Sequence, residues 1–160
     1  MSPRKLIINL GTQTLFCDTG SVIVTYPISS AKKGAGQISG SECTPTGRHY
    51  IRAKIGAGLP LGSVFVGRRA TGERYCDSLA EQFPDRDWIL SRILWLCGKE
   101  LGFNRLGSVD SMRRYIYIHG TPDSEPMGVP RSHGCIRMRN DDIVHLFDLV
   151  SVGTCLEITL

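Results

Sequence analysis

Leu6-Ile7-Ile8-Asn9-Leu10, Thr14-Leu15-Phe16-Cys17 and Ser21-Val22-Ile23-Val24-Thr25-Tyr26-Pro27-Ile28 follow one another, with Asp18-Thr19-Gly20 between the second and third runs. β-branched and aromatic residues dominate, and Asp-Thr-Gly has the composition of a hairpin turn. Pro27 lacks a backbone donor, which sets the end of the third strand at a sheet edge. Further on, His49–Ile55 alternates again, Gly56–Gly62 interrupts, Ser63–Gly67 is another short strand, and Leu156–Leu160 closes the chain. Repeated short strands with turn signals between them predict a mainly β, sandwich-like fold. Ser, Lys, Ala and Gly make up most of 29–41, which reads as a flexible surface loop.

Two segments read as helices. From Asp85 to Glu100, Ile89, Ile93, Leu96 and Cys97 share a helical face, with acidic Asp85 and Asp87 at the start and Gly102 as the stop. From Asn140 to Val150, Ile143, Leu146, Phe147 and Val150 keep i, i+3, i+4, i+7 spacing, with Asn140 as the N-cap. Trp88 and Trp95 read as core residues, and His49 and His145 receive no role.

The chain has 160 residues, 41% hydrophobic and 21% charged, the profile of an ordinary globular protein, read as one domain over 1–160. No apolar run approaches the roughly 20 residues needed to cross a bilayer. The N-terminal run is broken at Asn9 and stops at Gly11 with no Ala-x-Ala behind it, so the expectation is a cytoplasmic protein. Six cysteines without a Cys-x-x-Cys pair fit free thiols in a reducing compartment, most of them buried small hydrophobes. The +4 net charge is spread thinly and forms no basic stripe, which excludes nucleic acid as the expected partner. No membrane partner is expected either.

The chemistry gathers between Tyr115 and Asn140. Arg114–Ile118 reads as a strand ending in His119-Gly120; a Pro/Gly-rich loop follows, then Arg131-Ser132-His133-Gly134-Cys135-Ile136-Arg137-Met138. Acyl transfer by a thiol needs a nucleophile, a base and oxyanion donors. Cys135 can supply the first, His119 or His133 the second, and the Gly134 and Cys135 amides the third. The Gly120 carbonyl can orient the imidazole. A structural cysteine in a turn and a metal site of His119, His133 and Cys135 are the alternatives, although no zinc spacing pattern accompanies the latter.

Tyr117-Ile118-His119-Gly120-Thr121, then Ser132-His133-Gly134-Cys135-Ile136-Arg137-Met138, with Thr44-Pro45-Thr46-Gly47 upstream, resembles the signature of the L,D-transpeptidase (YkuD-type) catalytic domain. The resemblance runs from about Leu6 to Leu160. It implies a β-sandwich-like fold with the cysteine in a cleft under a flap, Cys135 as nucleophile, His119 as base, Gly120 as orienting carbonyl, and Gly134 and Cys135 as oxyanion donors. Ser132 and His133 would shape the turn, and Arg137 would organise the site or receive a carboxylate. Arg92, Arg113, Arg114 and Arg131 are candidate readers of substrate carboxylates. No cofactor or metal is implied. The family acts on peptidoglycan stem peptides through a cysteine thioester, and carbapenems are expected inhibitors. The long Asp85–Glu100 helix and the lack of a leader resemble compact cytoplasmic L,D-carboxypeptidases, so release of D-alanine from tetrapeptides or muropeptides is expected, with cross-linking or D-amino-acid exchange as the alternative. A non-catalytic peptidoglycan-binding module is the third possibility.

Overall fold

The computed structural model describes Pro3 and residues 5–160; Met1, Ser2 and Arg4, part of the stretch weighed above for a leader, lie outside the described residues. The elements are β1 (Lys5–Asn9), β2 (Thr14–Asp18), β3 (Ile23–Pro27), β4 (Gly47–Ile55), β5 (Ser63–Val66), β6 (Arg69–Arg74), α1 (Asp77–Gln82), β7 (Ile89–Gly98), β8 (Tyr117–Gly120), β9 (Ile136–Met138), α2 (Asn140–Leu149) and β10 (Cys155–Thr159). The mainly β expectation holds. All ten strands join one curled sheet in the order β3-β2-β1-β10-β4-β7-β5-β6, with β8 on β7 and β9 on β8. The hairpin expected at Asp18-Thr19-Gly20 connects β2 to β3, with Gly20 N–H donating to Asp18 Oδ1 at 2.8 Å.

Alternation along each strand divides the sheet into two faces. Leu6, Ile8, Leu15, Ile51, Leu94, Leu96, Ile118, Ile136 and Met138 point to one face, where α2 lays Ile143, Leu146 and Phe147 onto them. A smaller cluster of Phe65, Ile93 and Tyr117 occupies the other, with Trp95 and Cys135 packed against it.

The largest departure from the sequence reading is at Asp85–Glu100, where the structure has the strand β7 and the short helix lies earlier, at Asp77–Gln82. β7 pairs with β5 and β4, and with β8, and it is buried almost throughout. A strand buried on both faces is apolar at nearly every position, and such a run also satisfies i, i+4 spacing. The likeness to compact members that rested on a helix there falls with it. Arg114 and Tyr115 form a turn before β8, not part of it, and Tyr115 has a left-handed φ of 58°. The segment 29–41 is not uniformly a surface loop: Ser29, Ser30 and Ala31 are buried, and Ser29 exchanges backbone hydrogen bonds of 2.9 Å with Arg137. Small side chains permit that close approach. Only Cys17 and Cys97 are buried among the six thiols.

Arg139, not Asn140, is the N-cap of α2. Asn140 instead donates from Nδ2 to Thr121 O (2.9 Å) and accepts at Oδ1 from Ser91 Oγ (2.6 Å), tying α2 to β7 and to the chain leaving β8. A Cβ on Gly120 would lie 2.5 Å from both Asn140 Oδ1 and Leu90 O, so this close approach requires glycine.

His49 and His145 both acquire roles in the fold. His145 Nδ1 meets Tyr26 OH at 2.6 Å. His49, fully buried, bridges Gly47 O (3.0 Å) and Ser111 Oγ (2.8 Å). Burial drives its pKa down to about 4, against the raising effect of the Gly47 carbonyl and Glu100. The unfolded chain, with an ordinary histidine near 6.5, therefore takes up the proton first. The stability held by neutral His49 is complete above pH 6.5 and is lost between about 6.5 and 4, a difference of about 3 kcal/mol. Urea unfolding across that window should show a steeper acid loss in the wild type than in His49→Gln; equal slopes would remove His49 from the account.

Candidate active site

β8 and β9 run parallel, with Ile118 opposite Ile136, His119 opposite Arg137 and Gly120 opposite Met138. Ile118, Ile136 and Met138 turn to the α2 side. By alternation Tyr117, His119, Cys135 and Arg137 all belong to the opposite face. Adjacent strands lie about 4.8 Å apart, so the ladder itself brings the His119 and Cys135 segments together across fifteen residues of intervening sequence.

Cys135 is half-buried and lies immediately before β9. Its Sγ accepts a hydrogen bond from Tyr117 N–H and donates one to Tyr115 O, both 3.3 Å. Burial pushes the thiol up to about 12; Asp87 adds to this, while the Tyr117 N–H, Arg137 and Arg114 oppose it. His119 is 1% exposed. Its burial lowers the imidazole pKa, against the Gly120 hydrogen bond and Asp87, which raise it, while Arg137 lowers it further. The 2.6 Å contact from Nδ1 to Gly120 O assigns the proton to Nδ1, since a carbonyl only accepts, and leaves Nε2 as a base. The resting site therefore holds a neutral thiol and a neutral imidazole.

The turn before Cys135 is rigidly braced. Ser132 Oγ donates to Cys135 O (2.6 Å) and accepts from Gly134 N–H (3.2 Å). Thr44, from the Thr-Pro-x-Gly element, donates to Gly134 O (2.9 Å) and accepts from Ala31 N–H (2.9 Å). Gly134 has φ +136°, and a Cβ there would stand 3.3 Å from Cys43 O, so the turn is strained for any other residue. His133 is exposed beside Tyr115 and Arg114. Among the described residues no three His, Cys, Asp or Glu side chains gather in metal-binding geometry.

The arginines separate by placement. Arg137 is nearly buried and paired with Asp87 (3.3 Å), read above only as a helix-start acid, and with Glu125 (3.6 Å). Arg114 donates to the carbonyls of Gly36, Gln37 and Cys43 and to Ser41 Oγ, clamping the 36–43 loop. Arg92 is no reader of ligand at Cys135: it lies over the Phe147 ring on the α2 side and donates to Leu59 O and Ser91 O. A bulge between Leu90 and Ile93, with Ser91 at φ 70°, sends it there. Arg131 and Arg113 are exposed. Trp95, expected in the core, is half-buried on the Cys135 face under the guanidinium of Arg68. Trp88 stacks with Tyr75 and Arg86.

Comparison with known proteins converges on one family. A candidate L,D-transpeptidase of Bacillus subtilis (strain 168), YqjB, is 46% identical over 59 residues, 37% of this chain and 32% of its own. L,D-transpeptidase 3 of Mycobacterium tuberculosis, solved with a faropenem-derived adduct, superposes with a TM-score of 0.59 at 14% identity, covering 97% of this chain and 59% of that one. LD transpeptidase LdtMt1, solved in complex with imipenem, gives a TM-score of 0.56 at 21% identity over 96% of this chain and 57% of that one. The chain thus spans about a third of the length of YqjB and under two thirds of these solved chains. At such identities the superpositions speak for the fold. The family model of the L,D-transpeptidase catalytic domain, YkuD, matches residues 3–158, nearly the whole chain, and the protein belongs to that family.

Proposed function

We propose that the protein is a cysteine-dependent L,D-carboxypeptidase that releases terminal D-alanine from peptidoglycan tetrapeptide stems, acting on muropeptides in the cytoplasm. The observation that carries the proposal is the β8–β9 ladder, which gives Cys135 and His119 one face and leaves Nε2 of His119 available as a base. As Cys135 Sγ attacks the carbonyl carbon of the L-centre, its proton passes to Nε2. The Cys135 amide serves the developing oxyanion, and the Gly134 N–H joins it on leaving Ser132 Oγ, which holds it at 3.2 Å in the resting site. The C–N bond to D-alanine breaks, the leaving amine takes the proton from His119, and an acyl-thioester remains on Cys135. Water then gives a proton to His119 and attacks the thioester; the tripeptide leaves as an acid and the thiol is restored.

A thiol pushed up to about 12 does not ionise ahead of the substrate. Proton transfer in this cycle is coupled to attack, and substrate binding must supply what the resting site lacks. Six unpaired cysteines support a reducing compartment. There the enzyme meets soluble peptides and no assembled wall, which favours water as acceptor. The names of the relatives favour the second reading, transfer of the acyl group to an amine. Imipenem and a faropenem-derived adduct in the similar structures support β-lactams of this kind as acylating probes of Cys135.

Mass spectrometry on a diaminopimelate-containing tetrapeptide, with and without excess free D-amino acid, separates the two. Loss of one alanine, little changed by the amine, is the expected result; exchange of the terminal residue would make transpeptidation the main reaction. His119→Ala should keep its fold and lose about 10²-fold or more in rate. Cys135→Ala should lose all turnover and all imipenem adduct. An adduct on Cys135→Ala would remove this cysteine as nucleophile.

A further inference from the structure

The hairpin of β5 and β6 turns at Gly67-Arg68, with φ of 55° and 66°. Two consecutive left-handed residues make a mirror-image turn, whose second position favours glycine or asparagine. An arginine there works against local preference.

Its side chain is held on three sides. Nη1 donates to Tyr117 OH at 2.9 Å, and the guanidinium carbon lies 4.7 Å from the centre of the Tyr115 ring and 4.8 Å from that of Trp95. Tyr115 and Tyr117 are also the two residues whose backbone holds the sulfur of Cys135. The same pair thus grips the nucleophile by its main chain and Arg68 by its rings and hydroxyl.

Two other cations of this face are committed, Arg137 to two carboxylates and Arg114 to carbonyls, while Arg52 lies exposed with its guanidinium carbon 5.6 Å from the centre of the Trp95 ring. Among the described residues Arg68 makes no ion pair, and the bond from Nη1 is its only hydrogen bond. It is half-exposed, with its remaining donors unspent. A planar guanidinium fixed by stacking is suited to receive a carboxylate.

We propose that Arg68 is a substrate-binding residue that takes a stem-peptide carboxylate beside the scissile bond. This rests on the acyl-transfer reading of Cys135, and it holds for water or an amine as acceptor. Two carboxylates of the tetrapeptide have the right chemistry, that of the terminal D-alanine and that on the side chain of diaminopimelate.

The test compares the wild type with Arg68→Asn, which suits the left-handed turn, and Arg68→Lys, which keeps the charge. D-alanine release (or D-alaninamide where the terminus is amidated) is followed on the tetrapeptide and on two monoamides, one at each carboxylate. Arg68→Asn should lose roughly 10- to 100-fold in kcat/KM on the tetrapeptide, chiefly through KM, with an unchanged melting temperature. Arg68→Lys should recover part of it. One monoamide should be a poor substrate for the wild type and lose nothing further in Arg68→Asn, which identifies the carboxylate. An equal loss on all three substrates, or none on any, would overturn the proposal while leaving Cys135 chemistry intact. Failure of the wild type to release D-alanine or its amide, with or without excess free D-amino acid as acceptor, would overturn both.

Discussion

Parallel pairing of β8 with β9 is the constraint on which the site depends. It sets His119 opposite Arg137 and places Cys135 one residue before the paired stretch, so parity alone sends His119 and Cys135 to one face while Ile118 and Ile136 anchor the other in the core. A slip of one residue would exchange the faces and bury Cys135 beneath α2. Several devices hold the register. Asn140 fastens the end of β8, Ser29 pairs with Arg137 on the open side of β9, and Thr44 grips the carbonyl of Gly134.

Electrostatics on that face favour neutrality at rest. Burial penalises both the thiolate and the imidazolium. Of the cations, Arg137 acts most strongly on the thiol, yet Asp87 and Glu125 offset its charge, and Asp87 raises the thiol further. An anionic substrate group at Arg68 would sit beside the tyrosines that hold the sulfur, so recognition and activation share the same two residues.

Much of this was legible in the residues. His119-Gly120 and Ser132–Met138 marked the two segments that the β8–β9 ladder brings together, and the runs around the Asp18-Thr19-Gly20 turn pointed to a β fold. The failures have definite causes. β7 is buried on both faces, so its apolar run carries no period of two and passes for a helix. Arg92 is redirected by a bulge that leaves no mark in composition. Asp87 and Glu125 reach Arg137 only through tertiary folding, and Asn140 has the local chemistry of a cap while its side chain is drawn off by Ser91 and Thr121. Arg68 carried no signal of its own: it follows the Ser63–Gly67 run, and the Arg-Ala-Thr-Gly-Glu-Arg stretch after it is not β-prone.

The central claim is that Cys135 rests as a neutral thiol beside neutral His119. It is tested most directly by the pH dependence of iodoacetamide labelling at Cys135, in a chain with Cys43, Cys76 and Cys155 replaced by serine. The account predicts slow labelling near pH 7 and a rate still climbing beyond pH 10, with no plateau in the acid range. A plateau reached below pH 7 and abolished by His119→Ala would reveal a preformed thiolate–imidazolium pair and contradict it.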